Sequence, residues 1–334
     1  MAKQSKTKMK RPSVSIIGAG KVGQALAHAL QASGYPLISL VFRNQEKVRK
    51  FSSYGRKNFP RAELLAFDNL GKLPKSDLIL ITTPDDVIED TAKKLAALGR
   101  PLVNPQTGSL KGFPGAVLHT SGALSSIVLS GLAQAGCQIG SMHPLVSVTD
   151  RDPNAVFEGA YFCLEGEKMA VIYAEGMVRD LGGTSFRIKT DSKALYHAAA
   201  VMASPHLVAL FDLAVELLTK TGVPPVDARK VLLPLVESTV RNLHAAEPSV
   251  ALTGPFARGD VSTIERHLKV LSTGKGIPSD ALEVYKLLGL RSLQVAKKNR
   301  LDPARAKQIK KLLRSGGKGK GERETRRERV KGKG

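Results

Sequence analysis

The sequence is short of the features that make a small stapled, metal-bound or membrane-embedded protein. It has two cysteines, Cys137 and Cys163, too few for a disulfide framework. No group of Cys and His has metal-ligand spacing, so no metal is expected. Apolar runs are interrupted well short of the roughly 20 residues a membrane span requires. The basic N-terminus has no apolar stretch behind it of the kind a signal peptide carries. These absences predict a reduced, soluble, cytoplasmic chain with no membrane contact. Acidic residues are scarce too, 29 against 51 Lys and Arg, for a formal charge of +22.

That charge is concentrated at the ends. Residues 1–11 hold five basic and no acidic residues, and residues 297–334 hold sixteen basic and four acidic ones. The body between is only mildly basic. Residues 315–334 are Gly, Lys, Arg and Glu with almost nothing apolar, a composition expected to be disordered. Such tails can touch nucleic acid non-specifically. No aromatic interleaving or nucleic-acid-binding motif accompanies them, and a solvated appendage is the simpler reading.

What is present begins at Val14. A β-branched run ends in Gly18-Ala19-Gly20-Lys21-Val22-Gly23, and helical apolar spacing follows to Leu30. The order is strand, tight turn, helix. Gly18 permits the turn, Gly20 lets the backbone approach a pyrophosphate, and Gly23 lets the helix pack closely. The helix N-terminus offers N–H groups and a positive dipole end to phosphates. A second strand, 37–42, ends in Arg43-Asn44. An NAD-binding turn carries an acidic residue about 20 residues on. Here that place holds Arg43, whose guanidinium suits a 2′-phosphate, so NADP(H) is favoured over NAD(H). Lys47 and Arg49 follow on the next helix.

Residues 77–81 form a near-continuous apolar run, the mark of a strand buried on both faces. It ends in Thr82-Thr83-Pro84, which are candidates for the cofactor wall. The Pro/Gly-rich stretch from Gly99 to Gly115 predicts no regular structure. Strands over 116–119 and 138–142 end in Thr120-Ser121-Gly122 and in His143-Pro144. In a parallel sheet both clusters share the rim of the glycine turn, which makes Ser121 and His143 candidates. A further β-α-β unit to about residue 188 extends the sheet to about eight strands. The expected architecture is a Rossmann-type doubly wound α/β domain over 12–190, then an all-α domain over 191–314.

From Ser192 the period becomes 3.6. Asp191 or Ser192 is placed to cap a long helix to about Lys220, kinked at Pro205. Lys193, His197, Ala200 and Ser204 form one stripe, suited to a cleft or, alternatively, to an exposed first turn. Helices are expected over 225–246, 261–272 (capped by Asp260), 281–298 (an Asp280/Glu283 capping box) and 303–314 (capped by Asp302). The loop 252–260 offers Thr253, Arg258 and Asp260 to a substrate carboxylate, or is a helix connection with a good N-cap. Asn242 joins them as a candidate substrate-binding residue. Apolar positions on several helix faces, Val231-Leu232-Leu233 and Leu287-Leu288 among them, predict a homodimer.

The pieces Gly18-x-Gly20-x-x-Gly23, His119-Thr-Ser-Gly-Ala-Leu124, Gly140-Ser-Met-His-Pro-Leu145, Lys193-x-x-Tyr-His-Ala198 and Leu252-Thr-Gly-Pro-x-Ala-Arg-Gly-Asp260 resemble a bacterial family. Its members join a Rossmann-like reductase domain to a helical domain of unknown function. That family is similar in architecture to ketopantoate reductase, pyrroline-5-carboxylate reductase and the 6-phosphogluconate and 3-hydroxyacid dehydrogenases. The resemblance implies an NADP-dependent reductase of a small keto or imino acid, ketopantoate first. It implies Lys193 as the catalytic lysine, with His197 standing where the relatives place an asparagine. The stretch around His143 also resembles prephenate dehydrogenases, where this histidine and an upstream serine, here Ser121, lie near the reacting ring. Ser204-Pro205-His206 departs from the Ser-Asn-aromatic pattern expected of the family.

Overall fold

The computed structural model describes residues 11–99, 103, 115–147 and 156–315. The expectations for the two tails and for the Pro/Gly-rich stretch between Gly99 and Gly115 fall outside these residues, Arg11, Val103 and Ser315 excepted. Two compact units divide at Ala203/Ser204.

The first unit is built on an eight-stranded sheet in the order β3-β2-β1-β4-β5-β6-β7-β8. The strands are β1 (Val14–Ile17), β2 (Leu37–Phe42), β3 (Glu63–Ala66), β4 (Leu78–Ile81), β5 (Ala116–His119), β6 (Gln138–Pro144), β7 (Tyr161–Gly166) and β8 (Thr184–Arg187). The helices are α1 (Lys21–Ala32), α2 (Gln45–Asn58), α3 (Asp85–Ala96), α4 (Ser130–Gln134), α5 (Lys168–Asp180) and α6 (Lys193–Ala203). β3 was not foreseen, because four residues, ELLA, carry no usable period.

The near-continuous apolar strands are explained by a sheet covered on both faces. Leu78 and Leu80 of β4 enter one core with Leu26 and Leu30 of α1 and with Ala170 and Met177 of α5. Ile79 and Ile81 enter the other with Ile88 and Ala92 of α3 and Leu132 of α4. The strand order reverses between β1 and β4, and at such a switch point the strand ends part to leave a crevice.

Two features differ from the sequence reading. β7 runs antiparallel to β6, with His143 opposite Cys163 and Ser141 opposite Glu165, and β8 then pairs parallel with β7. The compact unit also extends past the expected boundary near 190 to include α6. A 3₁₀ turn over Thr190–Ser192 leads into α6. Asp191 accepts from the Ser192 hydroxyl, so neither residue forms the expected cap.

The second unit holds α7 (Pro205–Thr219), α8 (Pro225–Ala245), α9 (Pro248–Ala251), α10 (Gly254–Arg258), α11 (Val261–Thr273), α12 (Ala281–Lys297) and α13 (Pro303–Arg314). Ile264, Leu293, Ala306, Ile309 and Leu313 form its core. Asp260 and Asp302 cap their helices by accepting from Thr263 and Arg305 N–H. Asp280 makes no side-chain cap, so the expected capping box does not form. Against expectation, Thr190–Thr219 is long and apolar enough to cross a membrane by length and composition, with mean hydropathy 1.7 over an 18-residue window. Its backbone leaves the helical region at Ser204 (φ −125°, ψ −79°), just before Pro205, which divides it into α6 and α7.

Candidate functional site

The glycine turn sits at the strand-order reversal. Gly18 has φ +106°, and a Cβ there would lie 2.6 Å from the Thr83 nitrogen and 2.7 Å from the Thr82 carbonyl carbon. The N–H groups of Gly18 and Ala19 both donate to the Val41 carbonyl at 2.9 Å. Thr82 Oγ1 donates to the Gly18 carbonyl at 2.7 Å, so Thr82 braces the turn as well as lining it. A Cβ on Gly23 would overlap the Gly18 carbonyl oxygen. Gly20 is different. The nearest atom to a Cβ there is 4.0 Å away, so nothing in the protein demands glycine at that position. Gly20 is also the N-cap of α1 and offers no side-chain cap, which leaves the first-turn N–H groups to other partners. Val22 is partly buried and packs on the core.

A cavity of about 890 Å³ opens over this turn, bordered by Gly18–Lys21, Val41–Arg43, Lys47, Lys50 and Thr82–Pro84. Arg43 reaches it as an exposed side chain from the end of β2. Asn44 is mainly structural: its Oδ1 accepts from Lys47 N–H at 3.0 Å and caps α2. Lys50 borders the cavity where Arg49 does not, one residue away from the expected helper. Thr83 Oγ1 is buried and has no hydrogen-bond partner among the described residues.

Further along the rim, at the ends of β5, β6 and the start of α6, the unit gathers a second set. Lys193 is 2% exposed, and its ammonium donates to Ser141 Oγ at 2.7 Å. Burial lowers its pKa, while Cys163, Glu165 and Asp85 pull it back up. Glu165 is itself buried and accepts from the N–H and hydroxyl of Ser126, both at 2.8 Å. Lys193 also borders a groove of about 650 Å³ with Ser125, Lys189 and Asp191.

His143 Nδ1 lies 2.6 Å from the Tyr196 hydroxyl, and its ring stands edge-on to His197 at 5.9 Å. Burial, then Lys193 and His197, push the His143 pKa down to about 4. A Cβ on Gly122 would collide with the His197 ring, so glycine lets both histidines close over this loop. Ser121 is placed with them, but its Oγ accepts from Ala123 and Leu124 N–H at 3.1 and 3.0 Å and holds the turn. Only its hydroxyl proton remains to offer a ligand.

His119 is fully buried. Its Nδ1 accepts from Ser121 N–H at 3.2 Å, and burial pushes its pKa down to about 3, with the Ser125 backbone pulling the other way. Sequence reasoning singled out Lys193, His143, His197 and Ser121. It passed over Ser141, Tyr196, Cys163, Glu165 and His119, although Ser141, Tyr196 and His119 stand inside the motifs quoted above.

The four substrate candidates lie in the second unit. Asn242 is exposed on α8, and Thr253 precedes α10 without capping it. Arg258 ends α10 with an exposed side chain. Asp260 accepts from Thr263 N–H and Oγ1 and from Ser262 Oγ, and these bonds lower its carboxyl pKa. Its carboxylate is therefore occupied as a helix cap.

A model of a Rossmann-like domain matches residues 1–144, and a model of a domain of unknown function, DUF2520, matches residues 160–292. A search of curated proteins gives no match. Among solved structures, a Thermotoga maritima protein is similar over 86% of this chain and 100% of its own, at 21% identity and TM-score 0.65. A reductive aminase from Aspergillus terreus is similar over 90% of this chain and 98% of its own, at 15% identity and TM-score 0.56. An imine reductase from Pseudomonas sp. is similar over 90% and 99%, at 20% identity and TM-score 0.55. These likenesses are of fold. The chain thus matches a Rossmann-like domain model over its first part and a DUF2520 model over its later part.

Proposed function

We propose that this protein is an NADP-dependent oxidoreductase that reduces the carbonyl or imine group of a small acid, with ketopantoate as the first substrate to try. The observation that carries the reading is the placement of a buried lysine, Lys193, on the same sheet rim as a glycine turn open at Gly20. The residues around that turn fit a dinucleotide phosphate. The uncapped first turn of α1 would hold the pyrophosphate, Arg43 the 2′-phosphate, and Thr82–Pro84 the wall beyond. NADPH, when bound, supplies the hydride. The fold relatives lend support of a weaker kind: one is an imine reductase, and another is a reductive aminase in complex with NADPH and ethyl levulinate.

The chain's own part is proton and charge management. As negative charge gathers on the substrate oxygen, or basicity on its nitrogen, an ammonium at hydrogen-bond distance stabilises it and can hand over a proton. Lys193 suits this because burial already weakens its hold on the proton. Ser141 anchors the ammonium, and His143, His197 and Ser121 orient the substrate. NADPH oxidation against a panel of 2-keto acids and cyclic imines tests the reading. NADPH binding without turnover of any member would favour a non-catalytic dinucleotide sensor instead.

Arg43→Ala is expected to weaken NADPH binding about tenfold to hundredfold and leave NADH nearly unchanged. One charge-assisted contact is worth about 1.5–3 kcal/mol. Equal losses for the two nucleotides would remove Arg43 from the 2′-phosphate. The helices of the second unit also leave Val231, Leu233, Leu287 and Leu288 exposed, between 43% and 68%. We take this apolar surface as a homodimer interface. Light scattering at micromolar concentration should give twice the monomer mass, and a monomer would end the idea.

A further inference from the structure

Tyr196 has no role in the mechanism above, yet it makes the closest contact to His143. We infer that Tyr196 is a positioning residue that fixes His143 as a neutral, Nε2-protonated ring, presenting an N–H donor over Gly122 to the substrate. The substrate half of this statement rests on the reductase reading, and the tautomer half stands without it.

The phenol has a single proton to donate. Two acceptors lie near the Tyr196 hydroxyl: His143 Nδ1 at 2.6 Å, and the Cys163 sulfur, which is close enough to perturb the phenol. A thiol is a poor acceptor and an imidazole nitrogen a good one, so the proton points at Nδ1. Burial first, then Cys163, raises the phenol pKa far above its ordinary value, so the phenol keeps that proton. The groups facing His143 are Lys193, Tyr196 and His197 from α6, Cys163 from β7 and His119 from β5. No carboxylate is among those that shift it, and both neighbours that do, Lys193 and His197, disfavour an imidazolium. A neutral imidazole that accepts at Nδ1 carries its proton on Nε2.

The ring is also held in place. Tyr196 and His197 stand edge-on to it, at 79° and 87°. Its Nε2 lies 2.8 Å from where a Cβ on Gly122 would be, so glycine keeps that nitrogen unobstructed. The consequence for the chemistry is a division of labour. Lys193 gives the proton, and His143 gives a hydrogen bond that needs no titration near neutral pH.

The test is long-range ¹H–¹⁵N NMR of the full chain labelled with ¹⁵N-histidine, with His143→Gln identifying the His143 signals. The expected result is an Nε2–H tautomer that does not change between about pH 5 and 8. Tyr196→Phe should turn it into a mixture of tautomers while the other histidines keep their shifts. An Nδ1–H tautomer, or an imidazolium forming in that range, in the unmodified protein overturns the inference. The kinetic arm uses whichever member of the keto-acid and imine panel turns over. Tyr196→Phe should lower kcat about threefold to tenfold with NADPH affinity unchanged, the size of one ordinary hydrogen bond. Unchanged kcat with an altered tautomer would overturn the donor role. If no substrate is turned over, the reductase reading fails while the NMR result still decides the tautomer.

Discussion

Lys193→Ala is expected to lower kcat by about 10²–10⁴, the usual range for a lost general acid, while NADPH binds nearly as before. The two halves separate because the glycine turn and Arg43 border one cavity and Lys193 another. Lys193→Arg should also be poor. A guanidinium keeps the charge but does not release its proton, and its fork does not fit a position shaped around one donor to Ser141 Oγ. Calorimetry of NADPH binding beside turnover of the best substrate measures both halves. Turnover of the alanine variant within a few-fold of the parent would exclude Lys193 as the acid, and loss of NADPH binding would make it a cofactor or structural residue.

Lys193→Met reads the same burial through stability. The lysine pKa in the folded chain lies below its ordinary 10.5. Between those two values the unfolded chain binds more protons than the folded one, so stability rises with pH across that window. Below the folded pKa the burial penalty is present in full. The methionine variant lacks this term, so its stability advantage should shrink as pH rises toward 10.5. Urea melts at several alkaline pH values would show it, and a constant gap would mean that Lys193 is not desolvated.

Gly20→Ala and Gly23→Ala should both abolish most NADPH binding, but only the second should damage the fold. At Gly20 the added methyl meets nothing closer than 4.0 Å, so the variant loses about 1 kcal/mol or less, through a weaker N-cap. That methyl stands where a pyrophosphate must approach the first-turn N–H groups, and an affinity loss of about tenfold to hundredfold is expected. At Gly23 the methyl overlaps the Gly18 carbonyl oxygen, a backbone atom that no rotamer change can move away. Alanine's better helix propensity, at most about 1 kcal/mol, is outweighed by an overpacking cost of about 1–3 kcal/mol or more. Thermal melts with and without NADPH distinguish the pair. A Gly20→Ala protein that bound NADPH normally would show that the turn does not hold a pyrophosphate.

The core of the fold was legible because it is written in local patterns. The apolar run of β4 announced a strand covered on both faces, and the 3.6 period of α8, α11, α12 and α13 placed those helices within a residue or so at each end. The Asp260 and Asp302 caps were readable for the same reason. What failed was non-local. The direction of β7 is decided by pairing with β6, on the far side of a long connection, and no local pattern records it. Glu165 could not be found either, because a carboxylate buried against Ser126 looks like any strand-end charge. Lys193 was read as lining a cleft and does border a groove, but its near-complete burial could not be read, since it depends on Ser141, 52 residues earlier. Tyr196 was visible in its motif, but its significance depends on where β6 puts His143.

The reversal at β7 has a consequence for how this chain can be divided. The family models part between residues 144 and 160, which is between β6 and β7. Those two strands are hydrogen-bonded neighbours in one sheet. A fragment cut at that boundary would open the backbone of β6 as a bare edge, the kind of surface that recruits strands from other molecules. It would keep Ser141 and His143 but lose the residues that enclose them, Cys163, Glu165, Lys193 and Tyr196. A fragment that ends at Ala203 retains β7, β8 and α6 and keeps the edge paired. The smallest piece that contains the whole cluster is therefore defined by strand pairing rather than by the limits of the two family models.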